Sequence, residues 1–225
     1  MGSRGSITVG GGNVNPITTQ NWTLQETEGH DRRQDHEFGS VFNDKDRMVM
    51  RFEGDKGSVG ISNEALQIEG GTFTHNHPDN YFGGTFSDAD LRVFAKSKWK
   101  ELRASAGTGN GEYNYIIRAR DNMTAKDRKN LAGFIKGHSN VVNRNFNNSF
   151  KSAYNKFSKR LLKQNEARIN SGATTRSEVL KQARGEARQY AIGTITRYYK
   201  KHLAKFNVDY ITRRTAYDVN RPIRG

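Results

Sequence analysis

The apolar residues of this chain change their spacing near residue 120, and the change separates two kinds of structure. Before it, short apolar runs between turn residues predict β-strands. After it, apolar residues recur every three or four positions, which is typical of amphipathic helices. We therefore expect an α+β protein with four parts: a flexible leader over 1–24, a mixed α/β domain over 25–120, a basic helical region over 121–212 and a loose tail over 213–225.

The first half contains several strand patterns and one helix pattern. Ser87 is a good N-cap, and the apolar stripe that follows predicts a helix to about Ala104. No confident element is predicted over 21–36. Strands are predicted at 38–42 and 48–52 around a turn at 43–46, then as shorter pieces at 59–61, 66–68 and 72–75, and again at 112–119.

The second half predicts two long helices. One apolar stripe runs from Leu131 to Leu161, a second runs from Val179 to Leu203, and Gly172 interrupts the pattern between them. Such helices fold back as a hairpin or pack against the mixed domain.

Charge divides the chain at the same place. Residues 1–120 carry 14 Lys and Arg against 16 Asp and Glu, a net charge of −2, whereas residues 121–225 carry 23 against 7, a net charge of +16. A strongly basic segment attracts polyanions such as nucleic acid or an anionic membrane surface. A solvated helical face is the alternative interpretation.

The chain contains no cysteine, so any metal site must be built from His, Asp and Glu. The lack of cysteine fits a reducing compartment such as the cytoplasm, with delivery by a phage or a secretion system as the alternative. No apolar run reaches the roughly 20 residues that span a bilayer, and the N-terminus has no apolar signal-peptide core. The oligomeric state stays open.

One segment carries the pattern of a metal site. His75 and His77 are one residue apart in a predicted strand, so both side chains point to the same side. Asp90 lies in the first turn of the helix that Ser87 caps. Two imidazoles and one carboxylate leave a fourth tetrahedral position for water, which is typical of a catalytic zinc site.

These residues resemble the signature of the JAB/MPN/JAMM metalloproteases, in which an upstream Glu precedes His-x-His-Pro and Ser-x-x-Asp. The matching residues are His75, His77, Pro78, Ser87 and Asp90. The segment also resembles, more loosely, divergent members found on phage head proteins and toxin-like cassettes. Nine residues separate His77 from Ser87, two more than is usual in the family, and a loop extension of that size costs little.

The resemblance implies a division of roles. His75, His77 and Asp90 would hold Zn²⁺, a Glu would accept a proton from the water, and Ser87 would donate a hydrogen bond to the developing oxyanion. We predict Glu37 as this base because it opens a strand and precedes Gly39, as in the family. Glu28 is the alternative.

The resulting hypothesis is a zinc-dependent metallopeptidase or isopeptidase that hydrolyses an amide bond in a protein substrate. Two other hypotheses stay open at the level of sequence. One is a basic nucleic-acid-binding or phage virion-associated protein with a non-catalytic JAMM-like domain, which a steep salt dependence of DNA affinity would favour. The other is a metal-dependent nuclease, against which the near-neutral half around the motif argues.

Overall fold

A six-stranded sheet forms the centre of the first of two compact units, which comprises residues 1–136 and 202–225. The computed structural model describes residues 7–10, 14–78, 85–108 and 111–215. A separate parallel pair joins β1 (Ile7–Val9) to β4 (Val59–Ile61). The strand order of the large sheet is β3 (Met48–Glu53), β2 (Phe38–Phe42), β5 (Thr72–His77), β6 (Glu101–Thr108), β7 (Gly111–Ala119) and β8 (Val208–Thr215).

Strands β5 and β6 are parallel, whereas the other neighbours in this sheet are antiparallel. Parallel neighbours need a crossover, and α2 (Asp88–Lys96) lies within the connection between them. In such a β–α–β unit the carboxyl end of the first strand and the N-terminus of the helix meet at one edge of the sheet, where ligand sites commonly form.

The two faces of the sheet are covered differently. On the first face, the buried ring of Phe73 stacks on Trp99 with centroids 4.7 Å apart, close to α2. On the second face, α1 (Leu24–Asp31) contacts β5 through a hydrogen bond from Thr74 Oγ1 to Glu28. The predicted α+β class is therefore confirmed as helices packed on a mixed sheet.

The predicted helix from Ser87 to about Ala104 was too long. Helix α2 ends at Lys96, where Ser97 Oγ donates to the carbonyl of Phe94 and the Arg128 guanidinium donates to the carbonyls of Phe94 and Trp99. These bonds satisfy carbonyls that a longer helix would have paired. The following residues alternate buried and partly buried side chains as β6.

Four further elements differ from the sequence prediction. Helix α1 lies in the segment where no element was expected, and Thr23 and Glu26 form its capping box. Residues Ala65–Gln67 form a 3₁₀ turn in place of an extended piece. Strand β1 lies in the expected leader, and β8 spans the expected boundary between helical region and tail. Residues 79–84, which belong to the loop expected between His77 and Ser87, and the part of the expected tail after residue 215 lie outside the described residues.

The second unit, residues 137–201, is helical as predicted. It contains most of α3 (Ala125–Gln164) and most of α5 (Arg176–Leu203). The short helix α4 (Glu166–Asn170) and Gly172, which has a φ of +75°, lie between these two helices. The two long helices form an antiparallel hairpin, in which Arg160 of α3 pairs with Glu186 of α5. Its core contains the buried side chains of Leu161, Val179 and Ala183.

Among the described residues, no helix is both long enough and apolar enough to span a bilayer.

Candidate metal centre

Three buried side chains converge at the carboxyl end of β5. His75 and His77 alternate along this strand and therefore share one face of the sheet, while Asp90 reaches them from the first turn of α2. His75 Nε2 lies 3.0 Å from His77 Nε2, and Asp90 Oδ2 lies 3.7 Å from the first nitrogen and 3.8 Å from the second. The structure thus brings together all three predicted ligands.

This triangle has the size that a zinc ion requires. The point in its plane equidistant from the three atoms lies about 2.0 Å from each, within the usual Zn–N and Zn–O range. Tetrahedral angles at that bond length separate ligand atoms by about 3.3 Å, close to the mean of the three observed separations. The residues present therefore fit a four-coordinate ion with three protein ligands.

The hydrogen bonds of His75 orient it as a ligand. Its Nδ1 lies 2.9 Å from the carbonyl oxygen of Arg103, so Nδ1 carries the proton and donates it to this acceptor. In the neutral ring, Nε2 then presents its lone pair to the Asp90 carboxylate. Two acceptors that face each other repel unless a proton or a cation lies between them, which supports a cation at this point.

Asp90 is fixed by two backbone donors. Its Oδ2 accepts from Ser87 N at 2.6 Å, and its Oδ1 accepts from Ile7 N at 2.9 Å. Burial by itself raises the pKa of Asp90, but the positive charge that the facing imidazoles of His75 and His77 carry when protonated, together with the Ser87 N–H, holds that pKa below its usual value. The carboxylate is therefore ionised and oriented for metal binding.

Ser87 is the N-cap of α2, as predicted. Its Oγ accepts from Asp90 N at 3.2 Å and completes a reciprocal capping box with the Asp90 carboxylate. This bond uses a lone pair of Oγ, and the hydroxyl hydrogen is not part of it. The cap and the predicted role as hydrogen-bond donor are therefore compatible.

Glu37 lies on the same face of the sheet as the two histidines. Gly39 of β2 pairs directly with His75 of β5, and Glu37 precedes Gly39 by two residues, so its side chain points to the same face. Glu37 is fully buried. Its backbone continues the ladder with the segment after β3, since Glu37 N donates to Asp55 O and Gly54 N donates to Glu37 O.

Glu28, the alternative base, lies on the opposite face of the sheet. Its carboxylate accepts hydrogen bonds from Thr74, Arg103 and Asn114, all of which point away from His75 and His77. Burial raises the pKa of Glu28, and the Arg103 guanidinium partly offsets that rise. Glu28 therefore fixes α1 to the sheet and cannot reach the candidate metal centre.

Asn76 holds the backbone on both sides of Glu37. Phe38 N donates to Asn76 Oδ1 at 2.6 Å, and Asn76 Nδ2 donates to His36 O at 2.9 Å. These bonds replace the β2–β5 ladder beyond its last paired residues, Gly39 and His75. The side chain between the two histidines in sequence therefore positions the predicted base.

A buried apolar wall stands beside the site. Phe86 is fully buried, with its ring centroid 6.4 Å from that of His75 and 6.0 Å from that of Tyr210. The Tyr210 hydroxyl lies 2.6 Å from Thr85 Oγ1. Strand β8 thus helps to fix the end of the loop that leads to Ser87.

The three candidate ligands were predictable from the sequence, whereas the groups that support them were not. The Arg103 carbonyl and the Ile7 N–H are backbone atoms of distant segments, and no pattern in the sequence marks them. The sequence shows Asn76 only as the residue between two histidines and does not indicate its hydrogen bonds. The Val208, Tyr210 and Thr212 alternation was a usable signal for β8.

Comparison of the chain with protein families, curated proteins and solved structures yields no match.

Proposed function

We propose that this protein is a zinc-dependent metallopeptidase or isopeptidase that hydrolyses an amide bond in a protein substrate. One observation carries the proposal: two imidazole nitrogens and a carboxylate oxygen, 3.0 to 3.8 Å apart and on buried side chains, form a triangle of zinc size. Three protein ligands with a fourth position for water are typical of catalytic rather than structural zinc.

The donor set supports zinc over other ions. Two imidazoles disfavour Mg²⁺ and Ca²⁺, which prefer oxygen ligands. Ferrous iron also binds two histidines and a carboxylate, but octahedral angles bring such ligand atoms to about 3.0 Å. Two of the three separations here are 3.7 and 3.8 Å, which fits tetrahedral coordination better.

The chain's own groups complete the proposed mechanism. A zinc ion at this site would lower the pKa of a bound water toward neutrality. Glu37, an acceptor when ionised, would take the proton of the attacking water and pass it to the leaving amine. Ser87 would donate its hydroxyl hydrogen to the oxyanion that forms on the scissile carbonyl.

The choice of an amide bond rests on the motif. His75, His77, Pro78, Ser87 and Asp90 resemble the JAMM signature, whose members cut peptide or isopeptide bonds. Glu37 now adds the upstream carboxylate on the face where such a mechanism needs it.

Metal analysis tests the site. Protein purified without chelators should contain about one zinc per chain, and His75→Ala and Asp90→Ala should each lose it, because two remaining ligands bind zinc weakly. His138→Ala, which removes a histidine of the helical unit, should keep it. Wild-type protein that prefers iron, manganese or copper over zinc, or binds no metal after dialysis against zinc, would contradict the proposal.

Peptide profiling tests the activity. A mixture of peptides and branched isopeptides incubated with the zinc-loaded protein should yield new amine and carboxylate termini by mass spectrometry. Glu37→Gln should abolish these products and keep zinc, whereas Glu64→Gln, at an exposed carboxylate, should keep both. Product formation that persists in Glu37→Gln would remove Glu37 from the mechanism.

A further inference from the structure

Helix α3 carries positive charge without any compensating acid over most of its length. From Arg128 to Asn165 the sequence contains nine Lys and Arg and no Asp or Glu. The whole helical unit, residues 137–201, has 14 Lys and Arg against 3 Asp and Glu, a net charge of +11. The first unit takes the remaining +3, so most of the chain's charge is concentrated in the hairpin.

Much of the charge on α3 follows one exposed face. The spacings of four, three, four, four and four residues place six polar side chains on one line along the helix. We call this line the basic stripe; its members, all exposed, are Arg144, Asn148, Lys151, Asn155, Lys159 and Lys163. The buried residues of the same helix, Val142, Phe146, Ala153 and Leu161, lie on the opposite side.

The charges of the basic stripe are not neutralised within the protein. Among the described residues, none of its four cationic side chains forms a salt bridge with a carboxylate. Arg160, which points elsewhere on the same helix, shows the contrast because it pairs with Glu186 of α5. Unneutralised cations in a line about 28 Å long create a field that attracts a polyanion of similar length.

We propose that the basic stripe binds the phosphate backbone of duplex DNA. Lys and Arg would contact phosphates, and the Asn148 and Asn155 amides would donate further hydrogen bonds to them. This inference does not depend on the zinc site, since it uses residues of the other unit only.

The composition of the face favours duplex DNA over other anionic partners. A membrane-bound helix needs an apolar face for the lipid, and the apolar face of α3 is buried in the hairpin. Single strands bind by stacking on exposed aromatic rings, and the stripe contains none. A B-form major groove admits a helix, whereas the major groove of A-form RNA is too narrow.

Fluorescence anisotropy with a labelled duplex of about 20 base pairs tests the proposal. The affinity of the wild-type protein should fall steeply between about 50 and 200 mM salt. A variant with Arg144→Gln, Lys151→Gln, Lys159→Gln and Lys163→Gln should bind at least about tenfold more weakly at 100 mM salt. Its log–log salt slope should be shallower by about 3 to 4, since each lost phosphate contact removes about 0.9.

A second variant of equal charge loss provides the control. Lys45→Gln, Arg47→Gln, Lys96→Gln and Lys98→Gln neutralise four exposed cations of the first unit and should change the slope by less than about 1. If circular dichroism shows that the quadruple stripe variant has lost helical structure, single substitutions in the basic stripe replace it. Each single substitution should reduce the log–log salt slope by about 0.9. His75→Ala should leave DNA affinity unchanged.

Several outcomes would overturn the proposal. One is an equal effect of the two quadruple variants, which would indicate attraction by net charge alone. Another is tighter binding to single-stranded DNA or to duplex RNA than to duplex DNA. A third is binding to vesicles rich in phosphatidylserine without binding to DNA.

Discussion

Asp90 combines a structural and a chemical role in one side chain. Asp90 is the third helical residue of α2, and its Oδ2 accepts the Ser87 N–H in the capping box. The same Oδ2 atom faces both histidines. Because the cap fixes the carboxylate before any metal binds, little side-chain entropy remains to be lost on coordination. The start of the helix itself therefore preorganises Asp90 for the proposed metal.

The role of Asn76 leads to a prediction about activity. Asn76→Ala removes both hydrogen bonds that hold the backbone around Glu37, so we expect zinc to be retained while kcat/KM falls about 10- to 100-fold, a typical range for outer-shell partners. Zinc content and peptide cleavage should be measured on the same preparation. Asn63→Ala, at an exposed asparagine, should change neither quantity. Loss of zinc in Asn76→Ala would instead indicate collapse of the ligand set.

Gly39 offers a prediction about stability next to the site. A Cβ at this position would lie 2.5 Å from Cζ of the buried Phe73, so Gly39→Ala should destabilise the protein by about 1–3 kcal/mol in urea unfolding. Gly133→Ala is the matched control, because a Cβ there meets no described heavy atom within 4 Å and should stabilise α3 by up to about 1 kcal/mol. A Gly39→Ala protein as stable as wild type would show that Phe73 can move aside.

At the scale of elements, local patterns predicted strands β2, β3, β4, β5 and β7 and missed β1, β6, β8 and the end of helix α2. The apolar runs of β2 and β3 and the alternation in β7 are strong enough to identify these strands from sequence, as is the turn between β2 and β3. The end of α2 depends on Arg128, a residue 32 positions beyond Lys96, so no local signal could reveal it. Edge strand β8 was missed although its residues alternate, because the charged residues that edges commonly carry weaken the pattern.

The residues of the candidate site also differ in how far local patterns predict them. His75, His77 and Asp90 could be predicted because strand alternation and the first helical turn fix their directions locally. The choice between Glu37 and Glu28 could not, since it depends on which face of the sheet α1 covers. Long-range packing decides such questions, and a single sequence contains little information about it.

Strand β1 yields a prediction at the scale of elements, because the Ile7 N–H donates to the Asp90 carboxylate across 83 residues. Ile7→Pro removes this donor and should weaken zinc affinity by about tenfold or more. Ile7→Ala keeps the N–H and loses only the buried side chain, so stability should fall by about 2–4 kcal/mol while zinc affinity is preserved. Competition with a calibrated zinc chelator measures both variants. Equal zinc affinities would show that the bond is dispensable.

At the scale of the whole molecule, the sequence pattern divides the chain by type of element, and the compact units divide it by contacts. The change in periodicity near residue 120 marks the start of α3, but the compact helical unit begins at residue 137 and ends at 201. The chain then returns to the sheet as β8, so the first unit is built from both ends of the sequence. Periodicity reports the type of an element and cannot report its partners.

This division predicts where zinc should stabilise the protein. If zinc binds only the folded first unit, a free zinc concentration of a hundred times Kd raises the unfolding free energy of that unit by about 2.7 kcal/mol. Amide hydrogen exchange that requires this unit to unfold then slows about 100-fold. Hydrogen-exchange mass spectrometry should therefore show slower exchange in peptides covering 72–78 and 87–96, and little change in peptides covering 177–200. His75→Ala, which lacks a ligand, should show no response to zinc in either region. An equal slowing in the hairpin would mean that the two units unfold together, because a ligand can protect only the segments whose opening destroys its site.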